Sequence, residues 1–386
     1  MSLRILTLNV WGLPWPVGRD VPARIAAIGD ALPGLAPDVA AFQEAWTAGA
    51  RAALAEAGRR AGLAHAFPEP RGPGRGGLLL LSRHPLRGAR FVPYTLNGLP
   101  ERIDHADYWG GKGFVACEIE TGAGAVALVA THLHASYALR PLDPYVGHRT
   151  AQVVQLAAAL RALPRPLVAV GDFNFEERFE EHAVLTGLTG LEDVARALDR
   201  REDTVRWPGS DRPARGRAAA RIDYVFCRSG REASLRPLGI ERVLDRGVEI
   251  DGRAANYSDH AGLLADFELA AGELAPGELV PGGVASPAVD PGAIALARRL
   301  LLEGRSAAAG RRSALRWSGA GGVAAAAIAV RPGLRTRLSR RQVLGAGLAG
   351  GGCLFLSEEV RPAELDAFDA TLRQLDALAG FGPLDP

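Results

Sequence analysis

Short apolar runs, each too brief for a helix, recur from residue 3 to residue 269, and several end abruptly in a polar residue. Runs of this length with β-branched and aliphatic residues are typical of buried strands. They predict strands at about 3–9, 38–44, 77–82, 114–120, 125–131, 167–171, 221–227, 235–244 and 261–269.

Other segments carry apolar residues at helical spacing instead. Residues 21–35 repeat an apolar position every three or four residues, and an Ala-rich segment follows at about 48–62. Asp143 and Pro144 are predicted to begin a further helix, with a cap followed by proline at the first helical position. Because helices and short strands are mixed in both halves without strict alternation, we expect two sheets packed face to face with helices outside.

The composition changes near Ala270. Residues 270–292 are rich in Pro and Gly, which is typical of a linker, and residues 293–386 form a basic, Ala/Gly-rich C-terminal region. Two apolar runs, 317–330 and 343–356, lie in that region on either side of an Arg-rich loop. A 14-residue helix spans ~21 Å against a hydrocarbon core of ~30 Å, so the runs favour a shallow cationic hairpin or amphipathic anchor over two full membrane spans. The alternative is a small soluble helical tail.

Charge and cysteine content narrow the class of protein. The formal net charge of +2 does not point to nucleic acid as a partner, and three widely separated cysteines indicate neither a disulfide framework nor a zinc site. The chain enters a strand pattern at Leu3, which leaves no room for a signal peptide. We therefore expect a cytoplasmic first domain over residues 1–269, with membrane association through the C-terminal region.

Polar residues follow the apolar runs where each predicted strand ends. Carboxylates brought together repel each other unless a cation neutralises them, and an oxygen-rich set favours Mg²⁺ over Zn²⁺. Two histidines in the set add a base for water and a donor to phosphoryl oxygens. The set comprises Asn9, Glu44, His132, Asp172, Asn174, Asp223, Asp259 and His260.

Each residue of this set also has a structural interpretation when taken alone. Asn9 could be a turn former, Glu44 a charge at a helix N-terminus, and Asp223 a buried acceptor. The complete set, in order and at strand ends, favours the functional interpretation. Lys112, the only lysine in a chain otherwise rich in arginine, indicates a need for a compact ammonium group beside Gly110, Gly111 and Gly113. Chance survival of this lysine is the alternative.

Six segments together resemble the endonuclease/exonuclease/phosphatase superfamily over roughly residues 3–269. The segment 9–14, the Gly-Lys-Gly at 111–113, and 131–137 followed by His148, Arg149 and Gln152 further resemble the neutral sphingomyelinases. The resemblance implies a four-layer αββα sandwich, in which two mixed β-sheets are flanked by helices, and Mg²⁺-dependent phosphodiester hydrolysis. The superfamily segments are Asn9, Gln43-Glu44, Thr131-His132, Gly171-Asp172-Phe173-Asn174, Ile222-Asp223-Tyr224 and Ser258-Asp259-His260.

The resemblance also implies roles for single residues. Glu44 would bind Mg²⁺ with help from Asn9, and Asp259 would support the metal side. His260, oriented by Asp223, would act as general base.

Asp172 and Asn174 would position the water and the phosphate, and His132 would stabilise the developing charge on phosphorus. The resemblance does not decide whether Asp172 or His260 takes the proton.

The function expected from these observations is that of a phospholipase C-type hydrolase acting on sphingomyelin or a related phospholipid. Its partners would be the phospholipid substrate and a membrane surface. The enzymatic alternative is a Mg²⁺-dependent nuclease or phosphatase on the same scaffold, for which the Arg-rich segment 196–221 could bind nucleic acid. The non-enzymatic alternative is a membrane-binding module with an inactive site.

Overall fold

The structure is a computed structural model that describes residues 1–68, 76–102, 104–105, 107–163, 166–205, 219–230, 233–271, 288–330 and 339–380. Within these residues the strands form two six-stranded mixed sheets and one two-stranded ribbon. The predicted linker lies mostly outside the described residues, at 272–287, and so does half of the Arg-rich segment, at 206–218.

The first sheet has the strand order β11-β14-β1-β2-β4-β3. Strands β1 and β2 are parallel. Strand β14, the last strand in the sequence, lies between β11 and β1 and runs antiparallel to β1. The strands are β1 (Ser2–Asn9), β2 (Val39–Gln43), β3 (His65–Pro68), β4 (Leu79–Ser82), β11 (Ala233–Val243) and β14 (Gly262–Ala271).

The second sheet has the order β5-β6-β7-β8-β10-β9. Its parallel pair is β7 and β8, and β10 runs antiparallel to β8. The strands are β5 (Leu86–Pro93), β6 (Gly113–Thr121), β7 (Gly124–His132), β8 (Leu167–Asp172), β9 (Glu192–Asp193) and β10 (Asp223–Arg228). The ribbon consists of β12 (Gly247–Ile250) and β13 (Arg253–Asn256).

Helices cover the outer face of each sheet. Helices α1 and α2 pack on the first sheet, and α4 and α5 pack behind the second. The helices are α1 (Val21–Leu35), α2 (Ala48–Arg60), α3 (Asp107–Gly110), α4 (Val146–Arg161), α5 (Glu180–Thr189), α6 (Val194–Ala197), α7 (Pro291–Ala329), α8 (Arg340–Phe355) and α9 (Arg361–Leu378), with a π-helical turn at Leu356–Val360 before α9.

Alternation along the strands explains why their sequences are apolar throughout. Ile5 of β1 and Val168 of β8 point into the core between the two sheets, whereas Leu6 and Ala169 point outward under the helices. A strand buried on both faces needs apolar residues at every position. The predicted four-layer sandwich is confirmed.

The predicted start of α4 is wrong. The helix begins at Val146, and its N-cap is Tyr145 and not Asp143. Asp143 lies just before the helix, where Oδ1 accepts the backbone N–H of Tyr145 at 3.1 Å and Oδ2 accepts from the buried guanidinium of Arg149 at 2.5 Å. The carboxylate that the sequence pattern assigns to the helix end therefore also takes part in a buried ion pair.

The C-terminal helices pack partly on the sandwich. Ala297 and Leu301 of α7 and Phe368 and Leu375 of α9 are fully buried in the same core as α4. The predicted domain boundaries, with a first domain ending at residue 269 and a linker ending at residue 292, stay a prediction. Helices α7 and α9 share this core with the first domain.

Beyond this shared core, α7 and α8 form an antiparallel pair that we call the helical hairpin (residues 311–329 and 340–355). Glycines bring the two backbones together: a Cβ at Gly350 would lie 2.9 Å from the carbonyl oxygen of Gly319. Among the described residues, the continuous helix Arg341–Leu378 is long and apolar enough to cross a membrane by length and composition. Its second half is α9, which packs on α7, so this is weak evidence for a span.

Candidate active site

The predicted site residues come together at one edge of the sandwich. Strands β1, β2, β7 and β8 end at this edge and β10 begins there; we call it the site edge. In the second sheet, His132 lies opposite Asp172, and Asp172 lies opposite Asp223. His260 reaches the same place from the segment just before β14. The pairing of the strands thus collects residues that are far apart in sequence.

Asn9 connects the two sheets at the site edge. Its amide nitrogen donates to Glu44 Oε1 at 3.2 Å and to Asp172 Oδ2 at 3.0 Å. Its amide oxygen accepts from the backbone N–H of Trp11 at 3.0 Å. Asn9 therefore holds the two carboxylates in one cleft, and it presents its nitrogen to them rather than its oxygen.

A buried imidazole and two carboxylates form the second part of the site. His260 Nδ1 lies 2.8 Å from Asp223 Oδ2, and His260 Nε2 lies 3.9 Å from Asp172 Oδ2. One ligand atom from each of these three residues falls within 4.8 Å of the others. Thr204 supports Asp223 by accepting its backbone N–H at 3.2 Å. This arrangement fits a base whose other ring nitrogen is oriented by a carboxylate.

Lys112 belongs to the third part of the site. The side chain is 1% exposed, and Nζ lies 2.9 Å from Asp107 Oδ1 and 2.7 Å from His132 Nε2. His132 Nε2 in turn lies 3.3 Å from Asp172 Oδ2. A buried ammonium is retained only where it is paired, so this contact chain places a positive charge beside the carboxylate cleft.

The charges shift one another's pKa values. Burial lowers the pKa of His260, but the charges of Asp223 and Asp172 outweigh burial and raise that pKa well above its usual value. Burial raises the pKa of Asp172, but His132 and His260 outweigh it and the pKa is lowered. Burial raises the pKa of Asp259 to about 6, with a contribution from the charge of Glu44. The cleft is therefore an environment of strongly interacting groups, which is typical of active sites.

Unusual backbone conformations cluster at the site edge. Trp11, Glu44 and Asn174 all adopt positive φ angles of 47°, 58° and 53°. Gly171 has a φ of 142°, and a Cβ there would lie 2.0 Å from the carbonyl oxygen of Thr131. Such conformations cost free energy and persist where the surrounding structure fixes them, often at functional sites. Gly171 thus permits β7 and β8 to approach just before Asp172.

The donor set fits a divalent cation. Glu44 Oε2 and Asp223 Oδ1 are buried and have no hydrogen-bond partner among the described residues. A buried carboxylate oxygen without a partner is costly, and a hard cation is its natural ligand. The triad Asp172, Asp223 and His260 differs from the predicted ligands Asn9, Glu44 and Asp259, although both sets border the same cleft. The choice of ligands stays a prediction.

Asn174 and Asp259 occupy the border of the cleft. The amide of Asn174 donates to the carbonyl of Leu133 at 2.9 Å, and its backbone N–H donates to Asp172 Oδ1 at 3.0 Å. Asp259 Oδ1 accepts from Ser258 at 3.2 Å. All nine predicted site residues therefore lie at the site edge, and their individual roles stay predictions.

Two residues that sequence reasoning missed complete the site. Asp107 pairs with Lys112, and the signal for it was its place five residues before the lone lysine. Arg24 is buried, and its guanidinium donates to the carbonyls of Val10, Trp11 and Tyr257 at 2.7–3.1 Å. No motif marks Arg24, because it binds backbone atoms from two distant loops.

A family of known proteins matches the part of the chain that carries this site. The Endonuclease/Exonuclease/phosphatase family, which is hydrolytic and metal-dependent, matches residues 6–260. The chain belongs to this family.

The curated relatives are sphingolipid hydrolases by name. Two proteins named "Putative neutral sphingomyelinase" are similar to this chain. The one from Drosophila melanogaster is 31% identical, covering 70% of this chain and 61% of the relative. The one from Caenorhabditis elegans is 32% identical, covering 69% and 67%. Inositol phosphosphingolipids phospholipase C of Saccharomyces cerevisiae is 29% identical over 52% of this chain and 47% of its own length. The chain thus spans about half to two thirds of the length of these relatives.

Solved structures share the fold. Sphingomyelinase C from Streptomyces griseocarneus has a TM-score of 0.51 at 21% identity, covering 69% of this chain and 99% of that one. D. rerio TDP2, solved with a single-strand DNA product, has a TM-score of 0.54 at 20% identity, covering 69% and 99%. At these identities the likeness shows the fold alone.

Proposed function

We propose that the protein is a Mg²⁺-dependent phosphodiesterase of phospholipase C type that cleaves sphingomyelin or a related phospholipid. The observation that carries the proposal is the convergence of the His260–Asp223 pair, Asp172 and Glu44 in one buried cleft. The sequence similarity to sphingolipid hydrolases supports the substrate class.

In the reaction, water forms a new bond to phosphorus, and the bond from phosphorus to the lipid oxygen breaks. The phosphorylated headgroup and the lipid alcohol are the products. His260 must first release the proton that the neighbouring carboxylates favour on its ring; it then takes the proton from water at Nε2, while Asp223 holds Nδ1 and stabilises the imidazolium. Asp172 lies on the Nε2 side of the ring and orients the water. The proton must reach the departing lipid oxygen, which becomes an alcohol.

On the opposite side of Asp172 lie His132 and the buried ammonium of Lys112. Their N–H groups donate to the phosphoryl oxygens as negative charge builds on them. Asn174, fixed by Leu133 and Asp172, positions the phosphate. Since phosphoryl transfer depends mostly on positioning and charge stabilisation, these fixed donors account for most of what the protein supplies.

The site would hold Mg²⁺ through Glu44, with Asn9 and Asp259 beside it. For Asn9 to be a direct ligand, its amide must turn so that Oδ1 faces the cleft. The cation, when bound, would neutralise the carboxylates and stabilise charge on the phosphoryl group.

The helical hairpin would associate the protein with a membrane. Trp317, Leu344, Leu348 and Phe355 expose large apolar side chains on it. From Trp317 to the end of α7 at Ala329 the helix extends ~18 Å, which is less than the ~30 Å hydrocarbon core. The length fits insertion into part of the bilayer, with aromatic side chains near the polar interface.

A direct assay tests the function. Nuclease-free protein is incubated with sphingomyelin in detergent micelles and with plasmid DNA, each with Mg²⁺ and with a chelator. We expect Mg²⁺-dependent release of phosphocholine and no nicking of DNA. Glu44→Ala should abolish the activity, whereas Glu56→Ala, which removes an exposed carboxylate on α2, should not. Cleavage of DNA without cleavage of lipid would replace the proposal by the nuclease alternative.

A further inference from the structure

The helical hairpin extends past the site edge. Helix α7 starts beside the far end of α5, where Gly187 faces Ala293, and reaches the start of α4, where Gly147 faces Gly304. Helix α4 starts at the site edge, because it follows the loop after β7. The part of α7 beyond Arg311 therefore projects ~27 Å from the sandwich on the side where the active site opens.

Three loops at the same edge expose large apolar side chains. The loop after β1 exposes Trp15, which is 86% exposed, and α3 exposes Trp109. The loop after β7 exposes Leu139 and Leu142, the latter 81% exposed. We call Trp15, Trp109, Leu139 and Leu142 the apolar rim.

Each loop of the apolar rim is held by a residue of the site. Trp11 lies in the loop that carries Trp15, and its backbone N–H donates to the side-chain oxygen of the site residue Asn9. Asp107 begins α3 and accepts the backbone N–H of Ala135, in the loop after β7, at 2.7 Å. This bond joins α3 to the loop after β7, and Asp107 also pairs with Lys112. The loops that carry the rim therefore border the cleft.

Large apolar side chains exposed on neighbouring segments at one edge mark an interaction surface. The occupant must accommodate both the rim and a helical hairpin with exposed apolar residues that extends past it on the same side. A phospholipid bilayer does so, because the hairpin enters it while the rim rests on its surface. From this geometry we infer that the apolar rim is a bilayer-docking surface that holds the mouth of the active site against the lipid headgroups. The inference rests on the proposed function for its substrate, since a lipid in the bilayer would then enter the cleft without leaving the membrane.

Site-specific fluorescence tests the docking directly. Cys117 and Cys227 are buried, so a Cys353→Ser background allows single labelling of the full chain with an environment-sensitive dye. Dye is attached in Trp15→Cys and in Leu142→Cys, with Leu238→Cys on β11 as the matched control, since Leu238 is exposed away from the site edge. Phosphatidylcholine vesicles should shift the emission to the blue at the two rim positions and leave the control unchanged. Vesicle-bound protein without a shift at either rim position would overturn the inference, and so would an absence of vesicle binding.

Kinetics separate docking from chemistry. We compare the triple variant Trp15→Ser, Leu139→Ser, Leu142→Ser with Leu238→Ser, on sphingomyelin vesicles and on a short-chain sphingomyelin kept monomeric in solution. The triple variant should lose about tenfold or more of the vesicle rate and change the monomer rate by less than about twofold. Equal loss on both substrates, or no loss on vesicles, would contradict docking.

The two proposals fail in different ways. If the wild-type protein hydrolyses neither substrate while the rim dyes still shift, the proposed function fails and docking stands. If it hydrolyses both and the dyes do not shift, docking fails and the function stands. If the rim instead covers a second copy of the chain, sedimentation velocity will show a dimer that the triple variant dissociates, which also overturns docking.

Discussion

His260 is held by Asp223 on one side and faces Asp172 on the other, with Nδ1 2.8 Å from Asp223 and Nε2 3.9 Å from Asp172. The two carboxylates thus contact different ring nitrogens and have different roles. One fixes the orientation of the ring, and the other borders the place where Nε2 can take a proton. Asp223 comes from the start of β10 and His260 from the segment before β14, so both sheets contribute to the base.

Removing the imidazole of His260 or the charge of Asp172 should abolish most of the turnover without unfolding the protein. We expect His260→Ala and Asp172→Asn each to lower turnover by about 10²–10⁴-fold, the usual contribution of a positioned acid–base group. Circular dichroism and thermal melting should remain near wild type, because the packed strands and not the site edge provide the core. Near-wild-type turnover in His260→Ala would remove it from the role of base.

Glu44 Oε2, which has no hydrogen-bond partner within the part of the chain that the structure describes, leads to a prediction about the metal. Glu44→Gln keeps the shape of the side chain and removes its charge. We expect Mg²⁺ affinity to fall at least about tenfold, measured by titration calorimetry on the full chain. Glu56→Gln is the matched control and should bind Mg²⁺ like wild type. Unchanged affinity in Glu44→Gln would mean that Glu44 does not hold the cation and would favour Asp172, Asp223 and His260 as its ligands.

The strands and the site edge could be predicted from sequence because local pattern determines them. A strand such as β8 is apolar until it ends in Asp172, so both its burial and its polar end can be recognised in the sequence. Asp107 and Arg24 could not be found in this way. Their partners are Lys112 and backbone carbonyls of distant loops, which only the tertiary structure brings near.

The start of α4 shows the same limit. An Asp followed by a proline is a local signal for a helix start, but it does not show that the carboxylate of Asp143, besides accepting the N–H of Tyr145, also pairs with Arg149 one turn into the helix. The path of α7 beyond the site edge likewise depends on its packing against α4 and α5 and cannot be recognised in its composition. A sequence shows the chemistry of a residue and of its near neighbours, but it does not show which more distant residues that residue will contact.

Glu364 gives a prediction about acid stability. Its carboxylate lies 3.1 Å from His148 and accepts from Arg311 at 2.8 Å, and it also pairs with Arg361. Burial raises the pKa of Glu364, but His148 and the two arginines outweigh burial and lower the pKa to about 2. A lowered pKa contributes stability above the unfolded value, and that contribution is lost as the pH falls through the folded value.

We therefore expect Glu364→Gln to lower the free energy of unfolding at pH 7 by roughly 3 kcal/mol, and the difference from wild type to narrow as the pH falls from about 4.5 towards 2. Urea unfolding at a series of pH values measures it. Glu359→Gln, which removes an exposed carboxylate of the π-helical turn just before α9, should show no such dependence. A difference that is constant with pH would mean that the ionised form of Glu364 is not what stabilises the docking of α9.

The side chain of Lys112 is almost completely buried. Its ammonium is buried between Asp107 and His132, and its nitrogen lies 5.8 Å from the centre of the Trp46 ring. An arginine keeps the charge but is larger and planar, so its guanidinium cannot occupy the same position without moving a neighbour. The compact ammonium is what allows one charge to contact both Asp107 and His132.

We therefore expect Lys112→Arg to lose much of the activity on lipid substrate and Lys112→Ala to lose nearly all of it. Mg²⁺ affinity should hardly change in either variant, because Glu44 and not Lys112 is expected to hold the cation. Initial rates on sphingomyelin micelles, combined with Mg²⁺ titrations of the same preparations, distinguish loss of chemistry from loss of metal. Asp107→Asn should resemble Lys112→Arg, since it leaves the ammonium in place without its anchoring charge. Wild-type rates for Lys112→Arg across substrate concentration and pH would show that the lone lysine is an accident of composition with no part in the reaction.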